Sequence, residues 1–285
     1  MANGQNRRGS FLPPKTTPSK TTPSKTTPSK TTTSNPKPSN AKKKKTSLLI
    51  ATGCCGLAGA VLMFVGDILL YGPSAWGEPA STYFSSVDPL SSNPSSLVDS
   101  PMGSVPLQRA IVGGLLGPIA GFFYVIGCFQ MFLAAPSHPL RYLASLGHIA
   151  ALVFVSVYHA CYSYTSFIAA ASPSAGLALV SAHQAYMAAI KSSIKVCGLA
   201  GTAGLVGIVL SPTASSYPRW LILFTPTIWL MLVRESGLLV DLPAPYGHIV
   251  AGGSFNIVFF LFFLASTVAT ATSTDKTKKT KPKIH

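Results

Sequence analysis

Between Ser47 and Ala271 the chain carries long runs almost free of charged residues, and that feature narrows its folds more than any other. A hydrocarbon core about 30 Å thick is crossed by about 20 helical residues, because each residue advances the helix by about 1.5 Å. Five runs meet this length cleanly: residues 47–71, 109–135, 142–171, 193–211 and 247–271. In water, apolar stretches of this length have no partner surface large enough to cover them. In lipid every backbone group bonds within its own helix, so the runs predict membrane-crossing helices.

A further crossing is expected at residues 217–240, in a less regular form. Its apolar part, Trp220 to Val233, lies between Arg219 and Arg234 and is interrupted by Thr225-Pro226-Thr227. Snorkelling arginines, or continuation through Leu238-Leu239-Val240, give it the reach to span. Residues 174–191 form another helical segment with His183, Gln184 and a terminal Lys191, which points to an interfacial or re-entrant helix. The expected fold is therefore an all-α, polytopic transmembrane bundle of about six spans between disordered basic tails.

Charge distribution supports this organisation. Lys and Arg number 22 against seven acids, a formal net charge of +15, with 48% hydrophobic and 10% charged residues overall. Eleven of the basic residues fall in the first 45 positions and five in residues 276–283, so the excess charge belongs to the tails. Tail 1–46 repeats a Lys-Thr-Thr-Pro-Ser unit from Lys15, Lys20 and Lys25, with a near-copy from Lys30, and ends in Lys42 to Lys45. It lacks the apolar content needed to offset its chain entropy, as does the basic tail 272–285.

The positive-inside rule places both tails on the cytoplasmic face, which requires an even number of crossings. The loop 72–108 then faces outward, with Glu78, Asp88 and Asp99 and no Lys or Arg before Arg109. The bilayer is the expected partner, with anionic lipid at the basic tails, where each charge contributes about 1 kcal/mol near the surface. No basic stripe interleaved with aromatics faces a folded surface, so nucleic acid is not an expected partner.

Gly113, Gly117 and Gly121 recur every fourth residue and share one helical face, a pattern that lets a neighbouring helix approach closely. Packing inside the bundle is the first use of such a face, and homodimerisation is the competing one. Similar small-residue patterns occur at Gly53, Gly56 and Gly59, and at Gly198, Gly201, Gly204 and Gly207. Pro118 and Pro226 are expected to kink their helices. Five cysteines, Cys54, Cys55, Cys128, Cys161 and Cys197, lie in apolar runs without metal-knuckle spacing and read as small buried hydrophobes.

An ionisable residue inside a span costs roughly 2.5 kcal/mol or more on insertion scales, so each one calls for a compensating role. Asp67 stands 20 residues after Ser47, about 30 Å along the helix and near its outer end. His148 and His159 are 11 residues apart, which returns them to within about 20° of one face at a separation of roughly 16 Å. Asp67, His159, His183, His248, Asn256, Arg234 and Glu235 come from different segments yet share a membrane depth in the six-span arrangement. They are the candidates for a common polar site in the outer half of the bundle.

Imidazoles beside a carboxylate in that position are suited to proton-linked transport or sensing of a small solute. An intramembrane metal-dependent lipid hydrolase is the alternative enzyme reading, and a non-enzymatic scaffold with a lipid- or partner-binding basic tail is another. The Asp, Ser and His ingredients are similar to those of the alkaline ceramidase and adiponectin receptor superfamily, whose seven-helix members use an Asp, a Ser and three His. That resemblance implies a zinc-dependent hydrolase, but the receptor branch's paired histidines are not matched here, since Gly252 stands one turn after His248. The residues alone call for no cofactor.

Overall fold

The computed structural model describes residues 40–70, 105–170, 173–211, 216–235 and 246–279, all within one compact unit, Ser39–His285. The repeat tail up to residue 39 and nearly all of loop 72–108 lie outside the described residues, as do residues 236–245 and 280–285. Among the described residues six α-helices follow one another, α1 (Asn40–Leu70), α2 (Leu107–Ala134), α3 (Leu140–Ala170), α4 (Pro173–Leu210), α5 (Pro226–Glu235) and α6 (Tyr246–Lys279). A 3-10 helix, Arg219–Phe224, precedes α5, and there is no strand among the described residues. The chain is an all-α bundle.

Five of these helices are long and apolar enough to cross a bilayer: Lys43–Leu70, Leu107–Ala134, Leu140–Tyr164, Leu179–Leu210 and Gly253–Thr272. Large apolar side chains such as Phe122, Leu115 and Val196 point outward and stay exposed, the arrangement a lipid solvent selects. Helix α1 packs on α2 and α6, α2 packs on α3, and α3 packs on α4. The 3-10 helix and α5 bridge α4 and α6, which closes the sequence of neighbours into a ring. Tyr124, Leu152, Leu205, Leu221 and Phe262 fill its interior.

Two levels of cross-helix bonds fix the directions of the helices. Near the start of α1, Leu49 O accepts from Gln130 Nε2 of α2 at 3.1 Å, and Thr267 Oγ1 of α6 lies 3.3 Å from the same nitrogen. Near the end of α1, Asp67 meets Asn256, close to the start of α6. Helices α1 and α6 are therefore antiparallel, and the beginning of the first lies at the same end of the bundle as the end of the last.

The segment between α4 and α6 must return across the bundle, and it does so in a broken form. Ser216 N donates to Ala134 O at the end of α2, and Thr227 Oγ1 accepts from Thr202 of α4 at 2.6 Å. Six 3-10 residues and ten α-helical ones reach about 27 Å together, near the thickness of a hydrocarbon core. Of the expected crossing over 217–240, the described part consists of two pieces meeting at Thr225, and residues 236–240 lie outside the described residues. Pro226 does not kink a helix, since it occupies the first position of α5, where its missing N–H has no intrahelical acceptor to satisfy. Pro118 does lie inside α2.

A separate interfacial helix over 174–191 is also corrected, because α4 runs unbroken from Pro173 to Leu210. Lys191-Ser192-Ser193-Ile194-Lys195 contains no Gly or Pro to stop it. Ser192 and Ser193 turn their hydroxyls back to the Ala188 and Ala189 carbonyls at 3.0 and 3.1 Å, which satisfies them within the helix. Helix extends further at the tails than expected, from Asn40 and through Lys279. Of the five cysteines, all free thiols, Cys128 is buried, whereas Cys54 is exposed, so the buried-hydrophobe reading fails there: its side of α1 faces outward.

Candidate functional site

Three of the sequence candidates converge. Asp67 of α1 and His159 of α3 form an ion pair, Oδ1 to Nδ1 at 3.0 Å, with side chains 14% and 4% exposed. Asn256 of α6 donates from Nδ2 to Asp67 Oδ2 at 2.6 Å. Tyr124 of α2 donates its hydroxyl to Asn256 Oδ1 at 2.9 Å, and His159 Nε2 lies 2.9 Å from Gly113 O, also of α2. Four helices thus meet in one chain of bonds running Tyr124, Asn256, Asp67, His159 and the Gly113 carbonyl.

The glycines explain how an imidazole fits between packed helices. A methyl group at Gly66 would sit 2.7 Å from His159 Nε2, and one at Gly117 would sit 2.7 Å from its Cδ2. Gly121 admits Ser156 in the same way, while Gly113 lies against Leu69, Leu70 and the Gly66 carbonyl of α1. The glycine face of α2 is therefore occupied within the chain. Its role is to make a cradle for the His159 ring as well as to let backbones approach.

Bond directions restrict where hydrogens lie. A carbonyl only accepts, so the contact with Gly113 O places a hydrogen on His159 Nε2. The short Nδ1 to Oδ1 contact then requires one more proton, carried either by the ring or by the carboxyl. Both forms have zero net charge. Removing that proton would turn a ring lone pair toward a carboxylate and leave an uncompensated charge inside the bundle, which is strongly unfavourable. In either form the geometry accommodates one proton between Oδ1 and Nδ1.

Zinc does not fit this donor set. Both ring nitrogens of His159 are engaged, and no group of three His, Cys, Asp or Glu side chains able to hold a metal occurs among the described residues. His183, half-buried on α4, makes no hydrogen bond or ion pair with Asp67, His159 or Asn256. Its helix packs mainly on α3 and is separated from α1 by that helix. Arg234 and Glu235 end α5, and His248 lies in the first turn of α6; their side chains lie outside what is described.

Two contributors were not anticipated from sequence. Tyr124 stands three residues after Gly121 and so continues the glycine face of α2, a spacing that marks it in retrospect. The Gly113 carbonyl carries no sequence signal of its own. Arg109 also belongs to this end of the bundle, donating from a guanidinium nitrogen to Ile68 O at 2.9 Å. It brings positive charge to the C-terminal end of α1, which has no basic residue in its last turn.

A bundle of long apolar helices with outward-facing apolar side chains and its polar bonds turned inward defines an integral membrane protein. This chain belongs to a family of unknown function, DUF6796, whose model matches residues 42–273, the stretch that holds nearly all of α1 to α6. No curated protein and no solved structure matches it.

Proposed function

We propose that this protein carries out proton-linked transport or sensing in its membrane, with Asp67 and His159 as the proton-binding couple. The observation that carries the reading is the 3.0 Å contact between the two side chains inside a helix bundle. A buried carboxylate and imidazole sharing a proton across two helices form a group whose occupancy alters how those helices hold together. The broken segment of 3-10 helix and α5 supports transport over a rigid scaffold, since it has fewer internal backbone bonds to oppose rearrangement.

In this reading both tails lie on the cytoplasmic side, where Lys42 to Lys45 meet anionic headgroups at the start of α1. The test is proton movement into vesicles of purified protein, followed with an enclosed pH-sensitive dye under an imposed pH gradient. Transport predicts flux above protein-free vesicles that disappears in Asp67→Asn and His159→Gln. Sensing predicts no flux but a proton taken up by the wild-type protein and not by Asp67→Asn. Absence of both would overturn the proposal.

A further inference from the structure

We infer that Tyr124 and Asn256 act as a lock on the position of the shared proton, restricting the site to a single proton held between Asp67 Oδ1 and His159 Nδ1. This deepens, and rests on, the reading of Asp67 and His159 as a one-proton couple. The argument is one of bond direction. Asn256 offers its amide N–H to Asp67 Oδ2 at 2.6 Å, so that oxygen acts as an acceptor and is a poor place for a proton.

An amide can turn over and present its oxygen instead, and a carboxylic acid O–H at Oδ2 would then have an acceptor. Tyr124 opposes the turn. Its hydroxyl is buried, and Asn256 Oδ1 is its hydrogen-bond acceptor among the described residues. If the amide turned over, the tyrosine O–H would be left buried with no acceptor, a costly outcome in a low-dielectric interior. The tyrosine ring is itself held between Phe259 and Phe263, with ring centroids at 5.7 and 6.1 Å, so it cannot swing aside without disturbing the core.

The consequence is a stoichiometry. With Oδ2 closed to protons and Nε2 committed to Gly113 O, the only exchangeable position is the one between Oδ1 and Nδ1. A second proton, giving imidazolium beside carboxylic acid, is disfavoured because its site faces a donor. Among the described residues the titratable or charged groups around Asp67 are His159 from α3 and Tyr124 and Arg109 from α2, while α6 presents the neutral Asn256. Tyr124 and Asn256 are positioning residues acting through Asp67.

The experiment is a pH titration of full-length protein in detergent, read by the infrared stretch of protonated carboxyl groups and by nitrogen-15 resonances of labelled histidine. Asp67→Asn and His159→Gln assign the signals. In Tyr124→Phe, which keeps the ring and its packing, the acid form of Asp67 should become half-populated about one pH unit or more above the wild-type midpoint. Asn256→Ala should move it the same way and serves if the tyrosine variant does not fold. Thermal unfolding measured alongside separates a stability loss from a titration change, since a purely structural role moves the first and not the second. Unchanged midpoints in the folded variants, with the shared proton still present in wild type, would sink the lock alone. A wild-type His159 with one bare ring nitrogen beside an ionised Asp67 at neutral pH would instead sink the couple beneath it.

Discussion

His159 and His148 lie on the same face of α3, three turns apart, and the bundle treats them differently. His159 meets a carboxylate on one nitrogen and a carbonyl of another helix on the other. His148 is equally buried, yet Nδ1 bonds within α3, to Ala144 O at 2.7 Å, and Nε2 has no hydrogen-bond partner among the described residues. The carbonyl assigns its hydrogen to Nδ1, so His148 is held as a neutral ring, edge-on to Phe259 at 6.1 Å. Residue type and burial are shared; the difference lies in what the neighbouring helices present. A buried imidazole packs as a ring beside a phenylalanine, whereas beside an aspartate it is placed to share a proton.

The largest effect that would break this contrast is at the carboxylate. Asp67→Ala leaves His159 and Asn256 facing a space without an acceptor, and unfolding in detergent should show a loss of about 3 kcal/mol. A change below about 1 kcal/mol would mean that the pair contributes no more than His148 does. Next in size is the cradle. Gly117→Val puts a branched side chain where even a Cβ lies 2.7 Å from His159, and overpacking should cost about 2 kcal/mol while disturbing the His159 nitrogen-15 signals and sparing those of His148.

The contrast sharpens further at the other level of cross-helix bonds. Gln130 donates to Leu49 O and lies within bonding distance of Thr267 Oγ1, and it accepts from Ser266 Oγ at 2.7 Å. Every bond of this clasp is internal and no ionisable group takes part. Gln130→Leu should therefore lower stability by about 1–2 kcal/mol without changing proton uptake, since each such bond in a membrane averages about 0.6 kcal/mol. Smallest of all should be His148→Phe, which loses one bond to its own helix and removes an unpartnered nitrogen. Its stability should stay within about 1 kcal/mol of wild type, with proton uptake intact. A larger loss of uptake would place His148 on the proton route and erase the distinction.

How much of this was legible in the sequence depends on the range of the interaction. Crossing helices follow from the apolar runs because lipid leaves a backbone few alternatives. The lone Asp67 and the two histidines of α3 stood out because charge inside a span is costly. The break at Thr225-Pro226 was visible as an interruption, although its form, a 3-10 helix ending where an α-helix begins, was not. Nor was the continuity of α4, where His183, Gln184 and Lys191 suggested an interface and two serines in fact bond back into the helix.

By itself the sequence determined the class: an all-α membrane bundle, with its charge in the tails and few ionisable groups between them. That information is local, written in hydropathy over windows of about 20 residues. Only the tertiary structure decided which polar groups meet. His159 rather than His148 or His183 reaches Asp67, Tyr124 closes the chain of bonds through Asn256, and Gly66 and Gly117, on two helices, make room for the ring. Those choices depend on which helices are neighbours and at what height, and a bond spanning 189 residues of chain leaves no trace in any window along it.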